Sequence, residues 1–304
     1  MTRKIVISIG ALVALGLLAV AFYSVRARDV RPPLPDVASP EPSEFREASV
    51  ASPLPAARPA KPEPATKNKK AAPLAPELAL KTGEVLNYTA NVSKLDNVAT
   101  LTLKVAGKGN FLGKNVWHLQ AAAHTLKPLR IVFELDDQFD SYSDAGTLAS
   151  LQYEMRLNER GQKVQSIQRM TSTGKEPAPA GAEEARVLAG TRDPLGFMQF
   201  LRTTDWNSTR EVRSPVYDGH KLYDVRAKLA SASAAVGVAA GDFRASKIDI
   251  HVFENGAELK DASFTLYLAS DAVRTPVLLE AIMPFATARV ELVKDLPQSL
   301  PKAE

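Results

Sequence analysis

The chain has 304 residues, no cysteine, 24% charged residues and a formal net charge of +4. The missing cysteines exclude disulfides, thiolate metal sites and a bacterial lipid-modified N-terminus, so any folded part is held together by its core alone. Within residues 81–295 the 26 Lys and Arg balance 26 Asp and Glu, which places the positive excess in the N-terminal part and leaves no basic folded surface for nucleic acid.

Residues 5–23 contain no charge; Arg3 and Lys4 precede them, and Arg26 and Arg28 follow. As a helix rising ~1.5 Å per residue they cover roughly 28 Å, about the hydrocarbon thickness of a bilayer. This predicts a transmembrane signal anchor over residues 1–24, with Arg3 and Lys4 keeping the short N-terminus in the cytoplasm. Ala19-Val20-Ala21 fits the small-residue pattern of a signal-peptidase site, so the alternative is a cleaved signal and a secreted periplasmic protein. The apolar run exceeds the ~7–15 residues of a signal core, which favours a single-pass inner-membrane protein.

Residues 25–80 hold 12 of the 21 prolines, interleaved with Ala, Glu and Lys and without sustained apolar periodicity. Such a composition cannot bury enough surface to offset ordering, which predicts a disordered tether. It would reach roughly 170 Å if polyproline II-like throughout and about 40 Å as a flexible coil. It reads as a spacer that separates the domain from the membrane; the alternative is that Lys67-Asn68-Lys69-Lys70 touches an acidic partner or wall polymer.

Residues 81–296 have the composition of one folded domain, followed by a tail at 297–304. Leu86, Tyr88, Ala90 and Val92 alternate with polar residues, and after an Asp96-Asn97 turn Ala99, Leu101, Leu103 and Val105 repeat the pattern. Leu151, Tyr153, Met155 and Leu157 alternate in the same way, and Asn158-Glu159-Arg160-Gly161 turns the chain into residues 162–170. Asp218-Gly219 separates strands at 212–217 and 222–229; Asn255-Gly256 separates strands at 247–253 and 262–268. A last strand is expected at 286–293. Two helices interrupt this pattern. Asp193 caps one, Pro194 opens it, and Leu195, Met198, Phe200 and Leu201 recur through Arg202; Pro128 opens a short one through Leu135. Residues 171–190 read as a loop. The expected fold is mainly β: a large curled antiparallel sheet, an open or partial barrel, with one or two short helices, preceded by a transmembrane helix and a disordered linker.

Five motifs in order carry a resemblance. They are Asp137-Gln138-Phe139-Asp140-Ser141-Tyr142-Ser143-Asp144 with Thr147-Leu148; Asp193-Pro194 at a helix start; Tyr217-Asp218-Gly219 before Lys221 and Tyr223; Gly241-Asp242-Phe243; and Leu268-Ala269-Ser270-Asp271 with Arg274, Pro276 and Val277. Together they resemble the bacterial exported domain of unknown function family 3108, over about Thr82 to Asp295. The resemblance implies a β-rich envelope domain and supplies no catalytic residues. By fold analogy alone it suggests the curved, helix-covered sheets of periplasmic lipoprotein carriers.

Chemistry is sparse. His118, His124, His220 and His251 lack paired metal spacing; Gly113-Lys114 and Gly174-Lys175 lack the rest of a phosphate loop; no Gly-x-Ser-x-Gly elbow occurs. His118 and His251 read as wet-face strand residues. Asp136, Asp137, Asp140 and Asp144 lack the order that wraps calcium and read as structural, with Asp137 closing a helix-to-strand turn and Asp144-Ala145-Gly146 a tight turn. Trp117, Phe133, Phe139, Phe197, Phe200 and Trp206 lie on or beside the helices and their facing strand. They are either plain core or the lining of an apolar pocket for a lipid or acyl chain. No enzyme, cofactor or metal site is expected. The expected function is a membrane-anchored periplasmic binding module for a hydrophobic envelope component or a partner protein; the alternative is an envelope scaffold or assembly protein with no small ligand.

Overall fold

A computed structural model describes residues 79–296, apart from 128, 133, 173–180, 261–262 and 285. The expected anchor and tail, and all but the last two residues of the tether, lie outside the described residues. Among those described, no helix is long and apolar enough to cross a membrane.

The chain opens with β1 (Val85–Val92), β2 (Leu95–Phe111) and β3 (Lys114–Thr125), followed by one helical turn, α1 (Leu129–Val132). Next come β4 (Asp136–Asp144), β5 (Ser150–Glu159), β6 (Gln162–Thr171), β7 (Glu183–Arg186) and the helix α2 (Pro194–Thr203). It ends with β8 (Glu211–Tyr217), β9 (Leu222–Val238), β10 (Gly241–Glu254), β11 (Ala257–Glu258), β12 (Ser263–Ala269), β13 (Pro276–Met283) and β14 (Ala286–Val293). These strands form a single 14-stranded sheet ordered β7-β6-β5-β4-β3-β2-β1-β14-β13-β12-β10-β9-β8, with β11 beside β10. The sheet is antiparallel except where β6 meets β7.

Period-two alternation sends one residue set inward. Tyr88 and Ala90, Leu101 and Leu103, Leu119 and Ala121, Tyr223 and Val225, Leu266 and Leu268, and Ala288 and Val290 are all buried in one core. Their intervening neighbours face out, as a sheet with one dry face requires. Arg160-Gly161 and Asn255-Gly256 take positive φ at both positions, 50° and 77°, then 51° and 82°, the geometry of tight two-residue hairpins.

The sheet is curled because its two ends share a strap. The Val187 amide donates to Thr171 at the end of β6, and the Ser150 amide of β5 donates to the Thr191 carbonyl. The Arg192 amide donates to Pro215, and the Tyr217 amide returns a bond to Arg192, both on the far edge strand β8. Residues 187–192 thus bond to the neighbouring strands β5 and β6 near one end of the strand order and to β8 at the other. At Gly219, where φ is 99°, a Cβ would lie 2.3 Å from Met155 Cε, so β5 and the β8–β9 turn meet closely inside the curl.

Several expectations need correction. The first hairpin turns at Ser93 and Lys94, with Val92 paired to Leu95. Asn97 instead sits within β2 at φ 50°, its amide held 2.7 Å from Asn91 Oδ1. The expected loop at 171–190 contains β7, and the expected helix at 128–135 is reduced to α1. The acidic run 136–144 is β4. Here propensity lost to tertiary context, because neighbouring strands supply the ladder that Asp and Ser disfavour alone. Strand β3 carries His118 on its outer face, as expected of a wet-face strand residue, but extends over Lys114–Thr125; β13 has no counterpart in the alternation pattern, and β2, β9 and β10 run well past the segments that showed it. The folded body begins ahead of residue 81, since Ala79 and Leu80 are buried.

Candidate functional site: the helix-covered interior

Helix α2 lies over the concave, apolar face of the sheet, packed against β3, β4 and β8. Its N-terminus is set by Asp193, extended at φ −79° and ψ 172°, whose Oδ1 accepts the Gly196 amide at 2.8 Å. Pro194 follows at a position where no amide donor is needed. Asp193 Oδ2 also accepts the Ser141 hydroxyl at 2.5 Å, and the Asp193 amide donates to Ser150 Oγ at 2.7 Å. Burial raises the pKa of the Asp193 carboxyl against the opposing hydrogen bonds from Ser141, Ser150 and Gly196. Gly196 is needed for this approach: a Cβ there would meet Ser143 Oγ at 2.9 Å, Ser150 Oγ at 3.0 Å and the Leu148 carbonyl at 3.1 Å.

Beside the cap, burial pushes the Arg192 guanidinium down to about 10. It donates to Ser214 Oγ at 2.9 Å and to the Thr147 carbonyl at 2.8 Å, and lies 3.8 Å over the Phe200 ring. The buried Tyr153 hydroxyl finds no hydrogen-bond partner among the described residues. Its pKa is raised by burial, then by the charges of Asp193, Asp218 and Asp137.

At the other end of α2, the Arg202 side chain is 0% exposed and pairs with Glu84 through two contacts, at 2.7 and 3.0 Å. Gln199 Oε1 at 3.0 Å, the Ala79 carbonyl at 3.3 Å and the Val273 carbonyl at 3.1 Å take its remaining donors. Between Met198 and the wall of β1, β2 and β12–β14 lies an apolar cavity of about 10 Å³, bordered by Tyr88, Leu101, Leu103, Leu266 and Val290 among others. That volume accommodates about one water molecule.

Of the six aromatic residues singled out from sequence, Trp117, Phe139, Phe197 and Trp206 are buried in the main core. Phe200 is only partly buried, 6.5 Å from Phe197 and beneath Arg192. Phe133 lies outside the described residues. None of the five described aromatics borders the cavity; Met198 does. Two residues that hold the helix escaped the sequence reading. Arg202 follows Met198 by four positions and Leu195 by seven, so a lone cation on the apolar face was the available signal. Nothing in the sequence marks Glu84, among 26 acidic residues in the domain, as its partner.

Of the remaining polar candidates, Asp136, Asp140, His118, His124 and His251 are paired with side chains of neighbouring elements. Asp136 pairs with Arg130 at 2.6 Å and lies 2.9 Å from His124 Nδ1. Asp140 lies 2.7 Å from both His118 Nε2 and Arg156 Nη1. Burial acts to raise the Asp140 pKa, but hydrogen bonds from His118, Gln120 and Arg156 outweigh it and hold the group at about 2. His251 pairs with Glu258. Asp144 Oδ1 accepts the Gly146 and Thr147 amides, forming the tight turn read from sequence. Asp137 does not close a helix-to-strand turn: it points inward from β4 and accepts the Asn158 amide at 2.9 Å. Among the described residues, no group of three His, Asp or Glu side chains is placed to hold a metal.

A single curled sheet, strapped edge to edge and covered by one short helix, defines a β-rich, barrel-like class of domain. The chain belongs to the DUF3108 family of proteins of unknown function, whose model matches residues 87–293. No curated protein matches its sequence. Among solved structures it is similar to a β-barrel-like protein of domain of unknown function 1849 from Brucella abortus, at 11% identity and a TM-score of 0.44, covering 70% of this chain and 96% of that one. A presumed lipoprotein from Parabacteroides distasonis shares 11% identity at a TM-score of 0.32, covering 70% and 94%. A presumed exported protein from Bacteroides fragilis shares 8% at 0.30, again covering 70% and 94%.

Proposed function

We propose that this protein is a non-enzymatic binding module of the bacterial envelope, tethered to the inner membrane by residues 1–24, whose domain holds a hydrophobic envelope component beneath α2. The observation that carries this reading is the apolar cavity between Met198 and the opposite wall of the sheet. It adjoins a helix packed against β3, β4 and β8, so the far side of the interior is where a chain of methylenes would enter. Burial of such a chain gains about 0.8 kcal/mol per methylene.

The small volume of the cavity, about 10 Å³, supports the second reading, a scaffold that docks envelope proteins and carries no small ligand. Native mass spectrometry of the full chain extracted from its own membrane separates the two. A co-purifying lipid supports the binding module. A stoichiometric protein partner with no lipid supports the scaffold.

A further inference from the structure

We infer that Arg202 and Glu84 form a latch through which the root of the N-terminal segment, residues 79–84, controls the release of α2. The inference concerns the regulation of the interior proposed above, and it stands or falls independently of which ligand that interior takes.

The two ends of α2 are held differently. At its head, Asp193 is fixed to Ser141 on β4 and Ser150 on β5, and the strap before it bonds to β8. That end is built into the sheet and serves as a hinge. At its foot, the helix is held by groups outside the named strands, although Gly83 and Glu84 are joined to Val105 of β2 by two backbone hydrogen bonds, at 2.8 and 3.0 Å. Glu84 and the Ala79 carbonyl lie just before β1, and the Val273 carbonyl lies in the β12–β13 turn. Arg274 of that turn donates back to the Arg202 carbonyl at 3.2 Å.

The chemistry makes the latch cooperative. Every polar hydrogen of the buried guanidinium that the structure assigns goes to Glu84, Gln199, Ala79 or Val273. If α2 swung out while residues 79–84 stayed, Glu84 would be left largely buried without its counter-charge, and the reverse move would strand Arg202. An uncompensated buried charge is costly, so the segment and the helix foot leave together or not at all. A pull or a partner acting on the segment that enters the domain at Ala79 therefore acts on the helix bordering the cavity.

Hydrogen exchange on the full-length protein tests this. In the wild type, amides of residues 79–84 and of the second half of α2 should exchange as one unit, faster than those of β3–β5. Glu84→Gln, which keeps shape and removes charge, should raise exchange in both segments at least tenfold and leave β3–β5 unchanged. Arg202→Lys, which keeps charge and loses the fork, should act in the same direction more weakly. Independent exchange of the two segments in the wild type, or a uniform rise across the sheet in both variants, would overturn the latch. A joint rise in residues 79–84 and α2, with β3–β5 unchanged, in a protein that carries no lipid would uphold the latch and remove the ligand.

Discussion

Ser141 on β4 and Asp193 at the head of α2 share a hydrogen bond of 2.5 Å in full burial, across 52 residues of sequence. The same carboxylate caps the helix through Gly196. Asp193→Ala removes a cap worth about 1 kcal/mol and the buried hydrogen bonds that Ser141 and Ser150 make to the carboxylate, a further ~1–3 kcal/mol. We expect a loss of about 2–4 kcal/mol by urea denaturation, with Asp193→Asn retaining most of the cap and losing less. An alanine variant within 0.5 kcal/mol of wild type, taken as roughly the noise of surface substitutions, would show that the buried carboxylate does not hold the helix.

Gly196→Ala tests the same joint by sterics. In an open helix the change would stabilise by up to ~1 kcal/mol. Here the added methyl meets two serine hydroxyls and a carbonyl at 2.9–3.1 Å, and the carbonyl is backbone that cannot swing away. The sign should therefore reverse, to a loss of about 1–3 kcal/mol, with α2 lifted from β4.

How much of this joint was legible in sequence follows from the range of each interaction. The cap Asp193-Pro194 and the helix through Arg202 are local, and a few consecutive residues specify them. The hairpin turns Arg160-Gly161, Asp218-Gly219 and Asn255-Gly256 are local in the same sense. Ser141, Ser143 and Ser150 look like wet-face or turn residues until β4 and β5 pair and turn them toward Asp193. Strand β4 was hidden because Asp136, Asp137, Asp140 and Asp144 disfavour strands in isolation; the partners of Asp136 and Asp140, namely Arg130, His124, His118 and Arg156, come from three other elements. The cavity could not be read from composition, because it depends on how far Met198 stands from a wall more than 80 residues ahead of it in β2 and more than 60 behind it in β12.

Asp137 makes stability pH-dependent in an unusual direction. Burial, opposed by the Asn158 amide, raises its carboxyl from 3.8 to about 7. An acid with a raised folded-state pKa binds its proton more tightly folded than unfolded. Its contribution is complete below about pH 4 and is lost as pH rises through about 7, a swing on the order of a few kcal/mol. Asp137→Asn keeps the acceptor for Asn158 and cannot ionise. The variant should gain on the wild type steadily between pH 4 and 8 in chemical denaturation; a flat difference would mean an ordinary carboxyl.

The expected anchor makes a separate commitment. Residues 5–23 are uncharged and long enough to span, so the mature protein should keep Met1 through Tyr23 and fractionate with the inner membrane. Mass analysis of the native N-terminus decides this. A chain beginning at Phe22 would mean cleavage after Ala21 and a soluble periplasmic protein.

The last expectation contrasts two neighbours on α2. Phe200 is half-buried beneath Arg192, away from the cavity, so Phe200→Ala should cost less than the ~3–5 kcal/mol of a tightly packed core phenylalanine. Its loss should leave the interior unchanged, with little effect on the uptake of a fluorescent fatty-acid analogue. Met198 borders the cavity, and its flexible thioether is the kind of side chain that fills an irregular gap. Met198→Ala should cost about 2–5 kcal/mol and leave a larger void on the side where a chain would enter. If the interior binds an apolar chain, the enlarged void should take up more of the analogue even though the protein is less stable. Loss of stability in Met198→Ala with no uptake by either the variant or the wild type would mean that the interior is a solid core and would favour the scaffold.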